Sequence, residues 1–218
     1  MGWWADLIRS GGVSGRGPDE LADPAEPIPL PSLGGAADRR ALLLQVVRLA
    51  AGFPPVTTAP ALPPDGEDTD FDRRLNDVTL ETEPLFLMMA GIVGVSTGVP
   101  QALTLSRTDL AIRIADSERH RLGRLSVGWG IDSDGQTTML AHLVACIILQ
   151  SGCDRAATIA LFRQECEAMD WRLGKPADWI AGKLEEALHR LGGGVDAIRP
   201  DIVGEAFLLR QLVSDSRP

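Results

Sequence analysis

The chain has 218 residues, enough for one large domain or two small ones with a substantial core. Hydrophobic residues make up 44% and charged residues 23%, a globular balance, while aromatics are only 5% with no Tyr, so the core must rest on Leu, Ile, Val and Ala. A formal net charge of −9 excludes a general affinity for nucleic acid unless a local basic patch overrides it.

Residues 1–35 open with an apolar patch, Trp3, Trp4, Leu7 and Ile8, then pass through a glycine-rich loop, Ser10 to Pro18. Glu26 to Leu33 alternates proline with apolar residues, which suits an extended edge segment and not a central strand. Asp38 to Phe53 is expected to be a helix with Leu42, Val46, Leu49 and Phe53 on one face and Leu43, Val47 and Ala50 beside it, stopped by Pro54 and Pro55. Residues 54–80 are expected to be a polar connection. Pro84 starts the next helix at a first-turn position, with Leu85, Met88, Met89 and Ile92 as its expected buried stripe. Ser106, followed three residues later by Asp109, opens a third helix, with Leu110, Ile114, Leu122 and Leu125 inward.

After a turn at Asp132 to Gln136 comes a helix with a wide apolar face, Leu140, Leu143, Val144, Ile147 and Ile148. Asp154 caps the next, with Ile159, Phe162, Cys166 and Met169 inward, and Pro176 begins another, with Ile180, Leu184, Leu188 and Leu191. Gly192 to Gly194 stop it. Val195 to Arg199 is expected to be a short strand or wing, and Asp201 lies near the N-cap of a last helix reaching Leu212. Helix, helix, helix, short hairpin, helix is the order of a winged-helix-like module.

A phosphate-binding loop needs Gly-x-x-x-x-Gly-Lys-Ser/Thr, so that backbone N–H groups and the lysine surround the phosphates. No Gly-Lys-Ser/Thr occurs: Gly174-Lys175 is followed by Pro176. Asp68, Asp70 and Asp72 have the first spacings of a calcium loop, but Arg73 stands where the turn needs Gly and Thr79 where it needs Glu. His142, Cys146, Cys153 and Cys166 could supply four zinc ligands, but their spacing matches no short ligand pair, and thiols in apolar helical patterns read as core. Glu165, Glu167 and Asp170 read as an exposed face, and Arg107 to Arg124, interrupted by Asp109, Asp116 and Glu118, as a solvated one. No catalytic constellation and no metal site is expected. An odd count of three cysteines points to reduced thiols and a cytoplasmic setting. The N-terminus lacks a basic-then-apolar targeting pattern, and Asp6 stands where a myristoylation motif requires Ser or Thr.

Several segments in order resemble the STAND class of AAA+-related signalling NTPases. Trp3 to Ile8 resembles the stretch after their sensor-arginine strand, Pro27 to Leu33 the last strand of their core, and Asp38 to Phe53 the first helix of their lid. Thr82-Glu83-Pro84 sits where the family has Gly-x-Pro; Pro84 matches and Thr82 replaces the glycine. Ser106 to Leu122 resembles the lid's closing helix, and His142 to Leu149 with Ser151-Gly152-Cys153 the start of the winged-helix segment. Arg199 to Glu205 resembles the segment equivalent to the Met-His-Asp signature of related immune receptors, where Asp201 matches and Pro200 stands at the histidine.

The resemblance implies a mainly α fold: a remnant of an α/β nucleotide-binding core over 1–35, a helical lid over 36–128 and a winged-helix-like domain over 129–218. It implies the lid and winged-helix portion of an ATP-dependent molecular switch, with Pro84 at the nucleotide edge and Asp201 holding the winged-helix end in register. ATP or ADP would bind only with the missing core or a partner chain, and the chain alone would not be an active enzyme. Two alternatives stand beside it. One is a helical protein–protein interaction module that docks to a separate partner chain through the Trp3-Trp4 patch, supplying a lid in trans, with self-association standing beside it. The other is a winged-helix transcription regulator, which needs a basic recognition helix.

Overall fold

The computed structural model describes residues 35–51, 59–77, 84–131, 133–172, 174–190 and 193–215. The expectations for residues 1–34, including the core remnant and the Trp3-Trp4 patch, lie outside the described residues. Among the described residues the protein is mainly helical: α1 (Ala36–Ala51), α2 (Thr69–Leu75), α3 (Pro84–Thr97), α4 (Val99–Ala102), α5 (Arg107–Gly128), α6 (Asp134–Leu149), α7 (Arg155–Ala168), α8 (Ala177–Ala187) and α9 (Asp201–Asp215).

The helix starts follow local chemistry. Ser106 caps α5 by accepting from the Asp109 N–H, and its own hydroxyl donates to the Asp109 carboxylate at 2.7 Å. Ser133 and Asp154 cap α6 and α7 through the N–H groups of Gln136 and Ala157. Pro176 precedes α8, and Pro84 is the first residue of α3, where a missing N–H is harmless.

Three helix ends share one device. Ile131 N–H returns to Ser126 C=O, Gly152 N–H to Ile147 C=O and Trp171 N–H to Cys166 C=O, each closing a Schellman motif. The left-handed residue is Gly130 in the first, but Ser151 (φ 56°) and Asp170 (φ 50°) in the others. These reversals decide where Cys153 and Trp171 go next.

The N-terminal half is a layered group in which α3 packs against α1, α4 and α5. The buried stripe of α1 is Arg39, Leu43, Val47 and Ala51, so it centres on the Leu43 and Val47 flank of the expected face, and Leu49 is 64% exposed. Apolar residues cover more than half the circumference of α1, so periodicity alone does not select a face. The approach of α3 does: a Cβ on Gly91 would lie 2.7 Å from Val46 Cγ1 and 3.4 Å from Leu43 Cδ1. On α3 the buried residues are Leu87, Met89, Ala90, Gly91, Val93 and Gly94, while Met88 and Ile92 face solvent, against expectation. Small residues at 90, 91 and 94 let neighbouring segments come close, and they weigh little in a hydrophobicity count.

The expected 54–80 connection contains a helix, α2. Asp68 caps it, accepting from the N–H groups of Asp70 and Phe71, and Phe71 and Leu75 bury four residues apart. The acidic run serves this helix. Asp72 accepts from Arg40 at 2.6 Å and from Gly66 N–H at 2.9 Å, and the Arg40 guanidinium lies 5.2 Å from the Phe71 ring centroid. Buried Arg39 donates to the Leu75 carbonyl at 2.9 Å, at the C-terminal end of α2, where a cation also suits the helix dipole.

In the C-terminal half α6, α7, α8 and α9 surround a small set of β-bridges. Val195 pairs antiparallel with Cys153 on one side and His189 on the other. The expected 195–199 strand is reduced to this one position. Asp196 N–H still reaches Leu188 C=O, but Ala197 N–H turns onto the Asp196 carboxylate at 2.8 Å and leaves the ladder. α8 ends at Ala187, with Ile180 and Leu184 buried as expected and Ala181 buried beside them, while Met169, expected inward near the end of α7, is 51% exposed. A single hydrophobic cluster runs from Leu43 to Phe207, so both halves share one core.

Glu185 ties α8 to the tip of the bridge turn. Its carboxylate accepts from Gly194 N–H at 2.8 Å and from Arg155 at 3.0 Å. The Gly194 hydrogen bond, followed by Arg155, holds its pKa below the ordinary value of 4.5. A lowered folded-state pKa means that the stabilisation is complete above that ordinary value and is lost as pH falls through the folded value. Glu185→Gln is therefore expected to remove part of the acid sensitivity below about pH 4.5, measured as the slope of stability against pH in urea unfolding.

Candidate functional site

Pro84 and Asp201 stand far apart in sequence and both at helix starts. Pro84 is exposed at the first position of α3. Asp201 is exposed at the first position of α9, and its carboxylate pairs with Arg199, which also lies 4.0 Å from Asp196. Neither residue lines any of three clefts, of about 540, 690 and 270 Å³, among the described residues. The cleft between α5 and α6, of about 690 Å³, takes Arg119, His120 and Arg124 from one helix and Thr137 and Thr138 from the other.

The seam between the halves is built by α9, which packs along α5 and against α6. Val203, Ala206 and Phe207 form its buried face. Arg210 closes the seam with a bidentate pair to Asp116 of α5, at 2.6 and 3.1 Å. Arg121 of α5 reaches the Ala187 carbonyl, the last of α8, at 3.4 Å, while Glu118 holds the same guanidinium. One long helix thus touches the C-terminal elements through apolar packing at the centre and charge pairing at the edge.

A second constellation lies between α6 and α7. His142 and Cys146, one turn apart on α6, meet Glu165 of α7, and their ligand atoms all lie within 4.8 Å of one another. His142 Nε2 is 2.9 Å from Glu165 Oε2 and 3.5 Å from Cys146 Sγ. The Trp171 ring meets the imidazole edge-on, with centroids 4.9 Å apart. The Schellman turn at the end of α7 delivers that ring, because Asp170 reverses the chain and Trp171 N–H bonds back to Cys166.

His142 and Cys146, read with Cys153 and Cys166 as core, instead meet Glu165, expected on an exposed face and in fact half-buried. Cys153 is elsewhere, buried at the bridges with its thiol donating to Gln150 Oε1. A signal for Glu165 was present: it follows the buried Phe162 by three positions, on the same side of α7. Burial pushes the Cys146 thiol pKa up, and Glu165 adds to it. All three cysteines are free thiols, Cys146 and Cys166 only half-buried.

Among the described residues no helix is long and apolar enough to cross a membrane. No family model, curated protein or solved structure matches this chain.

Proposed function

We propose that the chain is the lid and winged-helix portion of an ATP-dependent signalling switch, α1–α5 forming the lid and α6–α9 the winged-helix-like module. One observation carries this reading. Helix α6, the Cys153 bridge, α7, α8, the His189 bridge, a turn, the Val195 bridge and α9 follow one another in the order of a winged helix. The sequence resemblance supplies the rest. The α9–α5 seam is then the docked state, with Arg210–Asp116 as its breakable edge, since a partly exposed ion pair opens at little cost. Pro84 lines the nucleotide edge of the lid, and Asp201 with Arg199 fixes where α9 enters.

No phosphate-binding loop occurs in the 218 residues, so ATP or ADP belongs to this reading only with a nucleotide-binding core or a partner chain. Calorimetry on the isolated chain is expected to give no micromolar ATP or ADP binding, and a coupled assay no steady phosphate release. Micromolar binding or sustained turnover by the pure chain would overturn the proposal. The transcription-regulator alternative is disfavoured by charge. α7 with its flanking residues sets Arg155 and Arg163 against Asp154, Glu165, Glu167 and Asp170, and α8, the next helix in this order, sets Lys183 against Asp178, Glu185 and Glu186.

A further inference from the structure

We propose that His142, Cys146 and Glu165 form a divalent transition-metal site, best suited to Zn²⁺, that staples α6 to α7. His142 Nε2 has two polar neighbours and one role to give. His142 Nε2 carries either a hydrogen or a lone pair, and it faces both Glu165 Oε2 at 2.9 Å and Cys146 Sγ at 3.5 Å. If Nε2–H donates to Glu165, no lone pair is left for the Cys146 S–H, and the sulfur can do no more than share that N–H as a weak acceptor. If it accepts from the thiol, it faces a carboxylate oxygen with its own lone pair. A cation placed among the three takes all of them at once: the imidazole lone pair, a thiolate and a carboxylate oxygen.

The donor set selects the metal. Thiolate with imidazole favours Zn²⁺ and its neighbours over Mg²⁺ or Ca²⁺, which prefer oxygen ligands alone. The ligand atoms are close enough to share one ion, all within 4.8 Å. Two of them are set one turn apart on a rigid helix, and Trp171 fixes the imidazole plane. His142 and Glu165 side chains are 23% and 21% exposed, so an ion can enter and a water can complete a tetrahedron. This inference does not depend on the nucleotide switch, since it rests on side chains alone.

The test uses the full chain, stripped with chelator and kept reduced, titrated with Co²⁺ and then with Zn²⁺. The expected result is one Co²⁺ per chain, with a thiolate-to-cobalt charge-transfer band that Zn²⁺ abolishes. Cys146→Ser should lose the band, whereas a Cys153→Ser/Cys166→Ser double variant should keep it. His142→Ala and Glu165→Gln should each weaken binding about a hundredfold, at or above the top of the ~10–100-fold that loss of an outer partner costs. Circular dichroism of the metal-free variants checks that each is folded, and Glu165→Gln, which preserves size, serves if Cys146→Ser is not. No charge-transfer band in the wild type, a band that survives Cys146→Ser, or full affinity in both His142→Ala and Glu165→Gln would each overturn the assignment. Zn²⁺ bound with no thiolate signature from Co²⁺ counts against it as well.

Discussion

Gly194→Ala is expected to destabilise the protein by about 3 kcal/mol or more, a drop in Tm of roughly 6–12 °C for a chain of this size. Gly194 has φ +99°, and a Cβ there would lie 2.3 Å from the Cys153 carbonyl oxygen and 2.7 Å from Asp154 Cα. Both are backbone atoms, so no rotamer relieves the clash. Moving them breaks the two hydrogen bonds between Val195 and Cys153, at 2.9 and 2.8 Å, on which the bridges depend. Gly193→Ala is the control. It has nearly the same φ, +96°, but its nearest neighbour is the Glu185 carboxylate at 3.7 Å. Strain alone should cost it about 1–2 kcal/mol. Equal losses for the two variants in chemical denaturation would show that the close approach at Cys153 does not exist.

Phe207→Ala is expected to cost about 3–5 kcal/mol. Phe207 is 0% exposed on α9, the helix that packs on both α5 and α6, so its removal leaves a cavity in the seam between the halves. Leu209→Ala, two residues on and 61% exposed, should change stability by no more than about 0.5 kcal/mol. Hydrogen exchange gives the finer reading. Amides of α9 should exchange faster in Phe207→Ala than those of α1, because the seam opens before the N-terminal core does. A Phe207 effect no larger than that of Leu209 would mean that α9 is not docked. Arg210–Asp116 alone would not hold it, because an ion pair at the solvent edge contributes little.

The helix starts at Pro84, Ser106, Asp154 and Pro176 were legible because a cap or a proline acts on N–H groups within its own turn. The apolar faces of α6 and α8 were legible for a related reason: each has one dominant stripe. On α1 and α3 periodicity does not select the buried face. Leu49, Met88 and Ile92 were expected inward and are exposed, because glycine and alanine on α3 decide which faces can approach. Helix α2 lies in a proline-containing stretch whose composition reads as a connection, although the Asp68 cap and the Phe71/Leu75 pair mark it.

The sequence by itself determined a mainly helical chain, most of its helix starts, and the absence of a Gly-Lys-Ser/Thr phosphate-loop motif. Tertiary structure alone decided that Val195 bridges to both Cys153 and His189, that α9 closes over α5, and that Glu165 joins His142 and Cys146. The physical reason is range. Capping and periodicity act over three or four residues, whereas Glu165 meets His142 across 23 positions and Arg210 meets Asp116 across 94. Only the packed core sets those distances.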